Sequence, residues 1–140
     1  MKRPLPKNHR EKFDIISLSL VLNFVPDPKS RGDMLLRTLD FLHDPSGIKP
    51  TPWSTLFPSL FLVLPAPCVL NSRYMDEAKL KAMMASLDYE MIESKITQKL
   101  VYYLWKRRPH IPNARMDFAK KELRPGASRN NFAIVIKGAG

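Results

Sequence analysis

Two apolar stretches of the chain are each followed by polar side chains whose types can do chemistry. Ser17, Ser19 and Asn23 lie toward the end of the first stretch, residues 13–27, and a predicted loop, residues 65–74, follows the second. In open α/β sheets, ligands bind at the carboxyl ends of the strands, in pockets that combine an apolar floor with a few polar groups. We therefore expect hydroxyl, amide and guanidinium groups of the two segments to form one pocket.

The polar residues of the second segment have two interpretations. Asn71 and Ser72 stand just before a predicted helix, so capping that helix is the simpler role for them. Arg73, like Asn23 in the first segment, is a better candidate for contacting a ligand. Cys68 is interpreted as a structural or pocket-lining thiol rather than a nucleophile, because no base stands near it in the sequence.

Several kinds of active site are excluded because the residues that they need are absent. His9, His43 and His110 are isolated from one another and from the single cysteine, so zinc-ligand spacing is absent. The chain has no G-x-S-x-G sequence for a nucleophilic serine and no phosphate-binding P-loop. The two strand ends remain as the place for chemistry.

The apolar stretches predict the elements that position these residues. Residues 13–27 contain a nearly continuous apolar run, which is typical of a strand buried on both faces of a parallel sheet. We assign residues 13–18 to the strand and expect residues 19–25 to leave the sheet over its carboxyl edge. Residues 60–64 predict a second parallel strand, and a helix between the two strands supplies the crossover of a β-α-β unit.

The crossover helix has two possible starts. Asp27 can be its N-cap with Pro28 at the first helical position, or Ser30 can be the N-cap with Asp33 three residues later. Pro45 and Gly47 end the pattern. The buried face is given by three leucines at helical spacing: Leu35, Leu39 and Leu42.

A second helix and a hairpin follow. Residues 76–87 have the apolar spacing of a helix. Residues 89–96 and 100–106 predict the two strands of a hairpin that turns near Thr97. The prediction therefore adds two strands to the sheet after the β-α-β unit.

The end of the chain is less regular. Residues 107–131 form a long basic loop, in which residues 116–123 can form a short helix. Loops of this length are uncommon unless they are functional or disordered. Residues 132–136 are all apolar and predict a last strand. The predicted order is β-α-β-α-β-β-β, an α/β fold with a parallel first half and an antiparallel end.

Positive charge is concentrated at the two ends of the 140-residue chain, whose net charge is +10. Residues 1–12 carry five Lys/Arg and one acid, residues 13–94 carry seven and ten, and residues 95–140 carry eleven and two. This distribution fits a nucleic-acid-binding surface and, equally, a solvated basic surface.

Composition favours an intracellular protein of one domain. No apolar run approaches the roughly 20 residues that a membrane span needs. Residues 1–12 form a basic lead-in without the apolar core of a secretory signal, and residues 13–140 form the body of the domain. A single cysteine excludes an internal disulfide and fits a reducing compartment.

The chain resembles a known family at several separate motifs. Residues 18–27 (LSLVLNFVPD) and 31–35 (RGDML) resemble the segment around the fourth strand of a class I S-adenosylmethionine methyltransferase. Residues 62–74, 99–105 and 129–135 narrow the resemblance to the fungal large-subunit (25S) rRNA adenine-N1 methyltransferases. It implies that the α/β fold is part of a Rossmann-like class I methyltransferase sheet.

The resemblance implies methyl transfer from S-adenosylmethionine to adenine N1 of large-subunit rRNA or a pre-ribosome, without a metal, in the nucleolus or nucleus. N1 lies on the Watson–Crick edge, so the target base must be unpaired and extruded. Given this reaction, the strand-end positions assign cofactor contacts to Ser17, Leu18 and Ser19. Catalytic contacts with the base or a phosphate are assigned to Asn23, Asn71 and Arg73. The expected RNA-backbone contacts, which weaken with salt, are Lys106, Arg107, Arg108, Arg115 and Arg129.

One expected part of such an enzyme is missing from the sequence. Methyltransferases of this class open with a strand, a glycine-containing loop and an acid that holds the cofactor ribose. None of the five glycines follows an N-terminal strand, so the chain resembles the C-terminal half of a family member. We therefore expect weak or no S-adenosylmethionine binding by this chain alone. Two alternative functions are a non-enzymatic basic rRNA-binding module and a relative of the animal S-adenosylmethionine sensors in nutrient signalling.

Overall fold

A computed structural model describes residues 4–46, 51–110 and 115–137 of the chain. These residues form a four-stranded sheet, three helices and two short 3-10 turns, at His9–Glu11 and Leu22–Phe24. None of the helices in these ranges is long and apolar enough to span a bilayer. In chain order the elements are β1 (Ile15–Ser19), α1 (Pro28–Phe41), β2 (Ser59–Pro65), α2 (Ala66–Leu70), α3 (Glu77–Ser86), β3 (Tyr89–Ile96) and β4 (Leu100–Arg107).

The strands are arranged in the order β1-β2-β4-β3. β1 and β2 run parallel with α1 between them, and β4 is antiparallel to both β2 and β3. In the turn between β3 and β4, the Leu100 N–H donates to the Thr97 side-chain oxygen at 3.0 Å. The β-α-β unit and the hairpin are confirmed, and the mixed α/β fold agrees with the predicted partial Rossmann-like sheet.

The main core lies on one face of the sheet. Leu18 of β1, Leu62 of β2 and Tyr103 of β4 lie side by side in register and are at most 4% exposed. They form one cluster with apolar side chains of α1 and α3. On the other face, Ile15 is 49% exposed and Ser17 is also exposed. The prediction that the first strand is buried on both faces is therefore wrong, because the described helices cover only one.

α1 begins at the first of its two predicted starts. The Asp27 carboxylate accepts a hydrogen bond from the Ser30 N–H at 2.8 Å, and Pro28 occupies the first helical position. Hydrogen bonding by Ser30 lowers the pKa of the Asp27 carboxyl below its ordinary value. α1 ends at Phe41, before Pro45 is reached. The sequence signals therefore predicted the start of this helix more accurately than its end.

Three local predictions are wrong. Residues 132–136 belong to no strand of the sheet, and the Val135 N–H instead donates to the Pro28 carbonyl at 2.9 Å. Residues 116–123 form no helix; Phe118 instead exchanges two backbone hydrogen bonds with Ile136, at 2.7 and 3.0 Å. Residues 65–74, predicted as a loop, contain the short helix α2, whose first turn accommodates a proline.

Residues 132–136 cross α1 at Gly32. A Cβ atom built on Gly32 would lie 1.8 Å from the Val135 carbonyl oxygen. No side chain can occupy that distance, so glycine permits the close approach of the two backbones. The start of α1 is thereby held against the last part of the described chain.

We expect Gly32→Ala to lower the free energy of unfolding by about 1–3 kcal/mol, because the added methyl group forces the segment away from α1. Urea denaturation followed by circular dichroism measures this change. Asp40→Ala, at an exposed position of the same helix, is the control and should change stability by less than about 0.5 kcal/mol. Equal stability of Gly32→Ala and the unsubstituted protein would contradict the tight crossing.

Candidate functional site

β1 ends in a sharp turn that carries the chain across the edge of the sheet. Leu20 has a φ of 58°, which is uncommon for leucine, and its N–H donates to the Val63 carbonyl of β2 at 3.0 Å. Leu22 then anchors the 3-10 turn with a side chain that is 0% exposed. Asn23, the next residue, is held at the carboxyl end of β1.

Asn23 carries a buried polar atom without a partner in the described part of the chain. Its Oδ1 is shielded from solvent and receives no hydrogen bond from those residues. Leaving a buried acceptor unpaired costs about 1–3 kcal/mol. An unpaired atom in a native structure therefore calls for an explanation such as a ligand.

A cavity of about 570 Å³ lies beside Asn23, between the exit of β1, the start of α1 and the start of α2. Its volume is in the range of small-molecule pockets. Phe132 and prolines from both strand-end segments supply apolar walls, and polar groups come from Asn23, Arg31, Lys120 and Asn131. The cavity lies where the two parallel strands end, as the strand-end argument predicts, but of the polar groups expected there only the Asn23 amide lines it.

Arg31 connects two of the segments that surround the cavity. Its Nε donates to the Val25 carbonyl at 3.0 Å and its Nη1 donates to the Ala133 carbonyl at 2.8 Å. The guanidinium carbon lies 4.7 Å from the centre of the Phe132 ring, a cation–π distance. Partial burial lowers the pKa of Arg31 from its ordinary value.

Cys68 also lines the cavity, from the first turns of α2. Burial raises the pKa of its thiol, and the neighbouring Arg31 opposes this shift. The thiol is therefore neutral near pH 7 and is a poor nucleophile. This environment agrees with the pocket-lining interpretation of the cysteine.

Arg73 lies outside the cavity lining and instead fixes the segment that forms one of its walls. Its Nε donates to the Gly126 carbonyl at 2.9 Å, and its Nη1 donates to Asn131 Oδ1 at 3.1 Å. Asn71 has a similar position: its Oδ1 accepts from Arg129 Nη1 at 3.2 Å. We call this contact of residues 69–75 with residues 124–132 the junction.

Arg124 belongs to the second of the two segments that form the junction, residues 124–132. Its guanidinium donates to four backbone carbonyls of residues 69–75, at 2.6 to 3.2 Å. Ser72, which is 0% exposed, donates from its hydroxyl to the Phe132 carbonyl at 2.5 Å. The capping role considered for Ser72 is not observed, since the described N-cap of α3 is Asp76, whose carboxylate accepts from the Lys79 N–H at 2.7 Å.

The three residues predicted to contact a cofactor lie on β1. Ser17 and Ser19 are exposed on the open face of the sheet, whereas the Leu18 side chain is 4% exposed and belongs to the core. None of the three lines the cavity beside Asn23. Two hydroxyls on an open face can hydrogen-bond to a ligand but do not enclose one.

The residues predicted to bind RNA are divided between the two ends of the sheet. Lys106 of β4 pairs with Ser59, the first residue of β2, whereas the cavity lies beyond Pro65, the last. At about 3.3 Å per residue, the two ends of β2 are roughly 20 Å apart. Arg129 is on the cavity side, at the junction.

Arg107, at the end of the sheet opposite the cavity (the far end), has a structural role. Its Nη1 donates to the Leu39 and Leu42 carbonyls at 2.9 and 2.8 Å, and to the His43 carbonyl at 3.2 Å. These are carbonyls of the last turn of α1 and the residues after it, which a helix leaves without internal partners. A cation at a helix C-terminus is also favoured by the helix dipole.

The other cations at the far end have partners as well. Arg108 Nε lies 3.2 Å from a Glu90 oxygen, and Arg115 Nη2 lies 3.7 Å from Asp88 Oδ2. Lys106 is 5% exposed and its Nζ donates to the Arg107 carbonyl at 3.0 Å. Much of the positive charge predicted for RNA is therefore neutralised or buried at this end.

Two lysines on the cavity side were missed as candidates. Lys120 lines the cavity and lies 4.5 Å from the centre of the Tyr74 ring. Lys79 Nζ donates to the Tyr74 and Ala119 carbonyls at 3.3 and 2.9 Å, and burial lowers its pKa. Sequence reasoning also missed Asn131, although the paired asparagines before an apolar run were a visible signal.

Comparison with known proteins identifies the family. A family model described as 25S rRNA (adenine(2142)-N(1))-methyltransferase, Bmt2, matches residues 1–134. The 25S rRNA (adenine(2142)-N(1))-methyltransferase of Saccharomyces cerevisiae is 38% identical over 137 residues, which are 97% of this chain and 37% of that protein. The 25S rRNA adenine-N(1) methyltransferase of Schizosaccharomyces pombe is 43% identical over 122 residues, 87% of this chain and 42% of that protein. The chain thus spans about two fifths of the length of these relatives, and it belongs to the family of 25S rRNA adenine-N1 methyltransferases.

Proposed function

We propose that the chain supplies the target-base side of the active site in an rRNA adenine-N1 methyltransferase. The names of the two relatives support the reaction, and the cavity at the ends of β1 and β2 supports the location. The observation that carries the proposal is that Asn23 lines that cavity while its Oδ1, which is shielded from solvent, has no hydrogen-bond partner among the described residues. When the Asn23 side chain turns toward the cavity, an extruded adenine offers the hydrogen-bond donor that this atom lacks, its N6 amino group.

The proposed chemistry needs positioning more than proton transfer. Adenine N1 already has a lone pair, which forms the new N–C bond while the bond from sulfur to the methyl group breaks. S-adenosylmethionine supplies the electrophilic methyl group. Positive charge then develops on the base, and Asn23 Oδ1, by accepting a hydrogen bond from the N6 amino group, stabilises it. Phe132 and the cavity prolines hold the base and exclude water.

A chimaeric enzyme tests this assignment. We expect the S. pombe relative, with its matching 122 residues replaced by this chain, to methylate adenine N1 of 25S rRNA. Asn23→Ala in that chimaera should reduce the rate about 100-fold, since it removes a contact to developing charge. Mass spectrometry of digested rRNA measures the product.

Asn8→Ala, at an exposed position outside the cavity, is the matched control and should leave the rate unchanged. A chimaera that binds rRNA but shows no methyl transfer would support RNA binding as the whole function of this chain. Equal rates for Asn23→Ala and Asn8→Ala would contradict the role of Asn23.

Methyltransferases in general use S-adenosylmethionine, but the described residues offer only part of a site for it. Ser17 and Ser19 present hydroxyls on an open face, where water competes for the same hydrogen bonds. We expect isothermal titration calorimetry to show no binding of S-adenosylmethionine to this chain at micromolar concentrations. The full-length S. pombe relative serves as the positive control. A micromolar Kd for the chain itself would contradict the expectation.

We place the RNA backbone on the cavity side of the sheet, next to Lys120 and Arg129. Arg108, at the opposite end, has Glu90 as a partner. Removing one contact between a cationic side chain and a phosphate should reduce the slope of log K for RNA binding against log[salt] by about one. In filter binding at several salt concentrations, we therefore expect Lys120→Met to reduce this slope and Arg108→Met to leave it unchanged. The reverse result would move the RNA path to the end of the sheet predicted from charge alone.

The proposal extends to the setting of the protein. A substrate in large-subunit rRNA or a pre-ribosome implies work in the nucleolus or nucleus, where that RNA is made. Fluorescence microscopy of the tagged chain beside a nucleolar marker checks this, and exclusion from the nucleus would count against it.

A further inference from the structure

Two adjacent asparagines at the cavity have different surroundings. Asn130 is fully engaged by the protein: its Nδ2 donates to the Pro67 and Asn71 carbonyls at 2.7 and 3.0 Å, and its Oδ1 accepts from the Phe132 N–H at 2.9 Å. Asn130 therefore holds backbone groups in place and has no N–H donor left for a ligand. Asn131, the next residue, is exposed and lines the cavity.

The orientation of the Asn131 amide follows from its partner. Asn131 Oδ1 accepts from Arg73 Nη1 at 3.1 Å. A guanidinium group can only donate hydrogen bonds, so the oxygen end of the amide must face Arg73. The Nδ2 end then points away from Arg73. Within residues 4–46, 51–110 and 115–137, that Nδ2 has no hydrogen-bond acceptor, so a residue that lines the cavity keeps two N–H donors free.

Arg73 is itself held in place, so it can hold Asn131. Its Nε donates to the Gly126 carbonyl at 2.9 Å, and its backbone N–H donates to the Asn130 carbonyl at 3.0 Å. Both contacts lie within the junction. The donor end of Asn131 is thus oriented before any ligand enters, which reduces the entropy lost on binding.

We propose that Asn131 recognises a ring nitrogen of the extruded adenine and that Arg73 is the positioning residue that sets its amide. This inference rests on the function proposed above. N1 is the atom that receives the methyl group, and the N6 amino group is a donor, so N7 and N3 are the acceptors left for an amide N–H. Arg73 then acts on the base through Asn131 rather than by touching RNA.

Fluorescence anisotropy of the full chain with short RNAs tests the proposal. The probes are a uridine oligonucleotide, the same with one adenosine, and the same with 7-deazaadenosine or 3-deazaadenosine, which each lack one acceptor. We expect the adenosine probe to bind more tightly than the all-uridine probe. Loss of one hydrogen bond should weaken binding of one deaza probe about fivefold. Asn131→Ala should bind the adenosine and deaza probes equally.

Variants of the junction separate positioning from stability. Arg73→Met should also abolish the difference between adenosine and the deaza probe, and Arg73→Lys, which keeps a donor and the charge, should restore part of it. Arg124→Met is the matched control: it removes four hydrogen bonds from the same junction without touching Asn131. Arg124→Met should destabilise the chain, and the protein that remains folded should still bind the adenosine probe more tightly than the deaza probe.

The outcomes that overturn the proposal are distinct. If adenosine is preferred over uridine but neither deaza substitution weakens binding, the role of Asn131 is wrong and the proposed function stands. If Arg124→Met loses the discrimination as Arg73→Met does, Arg73 is only part of the junction. If the chain does not prefer adenosine at all, the proposed function fails and this inference fails with it.

Discussion

Guanidinium groups that donate to backbone carbonyls hold the cavity together. Residues 124–135 belong to no helix or strand of the sheet, so their backbone groups and those of residues 69–75 need other partners. Arg31, Arg73 and Arg124 donate to these carbonyls, and Arg124 alone serves four of them. One guanidinium has five N–H donors in a fixed plane, which suits several carbonyls at once. The walls of the cavity therefore depend on side chains as much as on the sheet.

This use of arginine changes the meaning of the net charge. From sequence, a charge of +10 fits either an RNA-binding surface or a solvated basic surface. The structure adds a third use, in which cations complete the backbone hydrogen bonding of helix ends and irregular segments. Arg107 at the end of α1 and Arg124 at the junction are of this kind. Counting basic residues therefore overstates the number available to phosphates.

The regular elements could be predicted from the sequence because each has a local signal. Asp27 and Pro28 mark the start of α1, and short apolar runs mark β2 and the hairpin. Residues 132–136 were wrongly predicted as a strand because an apolar run reports burial, and burial against a helix reads the same as burial in a sheet. The close approach at Gly32 shows that this run packs against a helix, and it joins two distant parts of the chain.

The candidate site was predictable in location but less so in its contacts. Asn23 follows from the position of a polar residue after an apolar strand, which is a local pattern. Arg73 was predicted to contact a ligand, but its observed partners Gly126 and Asn131 lie more than 50 positions away, beyond the reach of spacing arguments. Arg31 stood in a recognised motif, yet only the fold shows that it joins residue 25 to residue 133.

The crossing at Gly32 has a consequence for the order in which the molecule forms. The β-α-β unit and the hairpin are made from contacts between neighbouring parts of the chain, whereas the crossing pairs residues 28–32 with residue 135. Contacts of such high sequence separation carry the largest loop-closure entropy and form late in folding. The cavity takes walls from both partners of this crossing. During synthesis the cavity can therefore form only after residue 135 has left the ribosome, so a nascent chain has its sheet before it has this cavity.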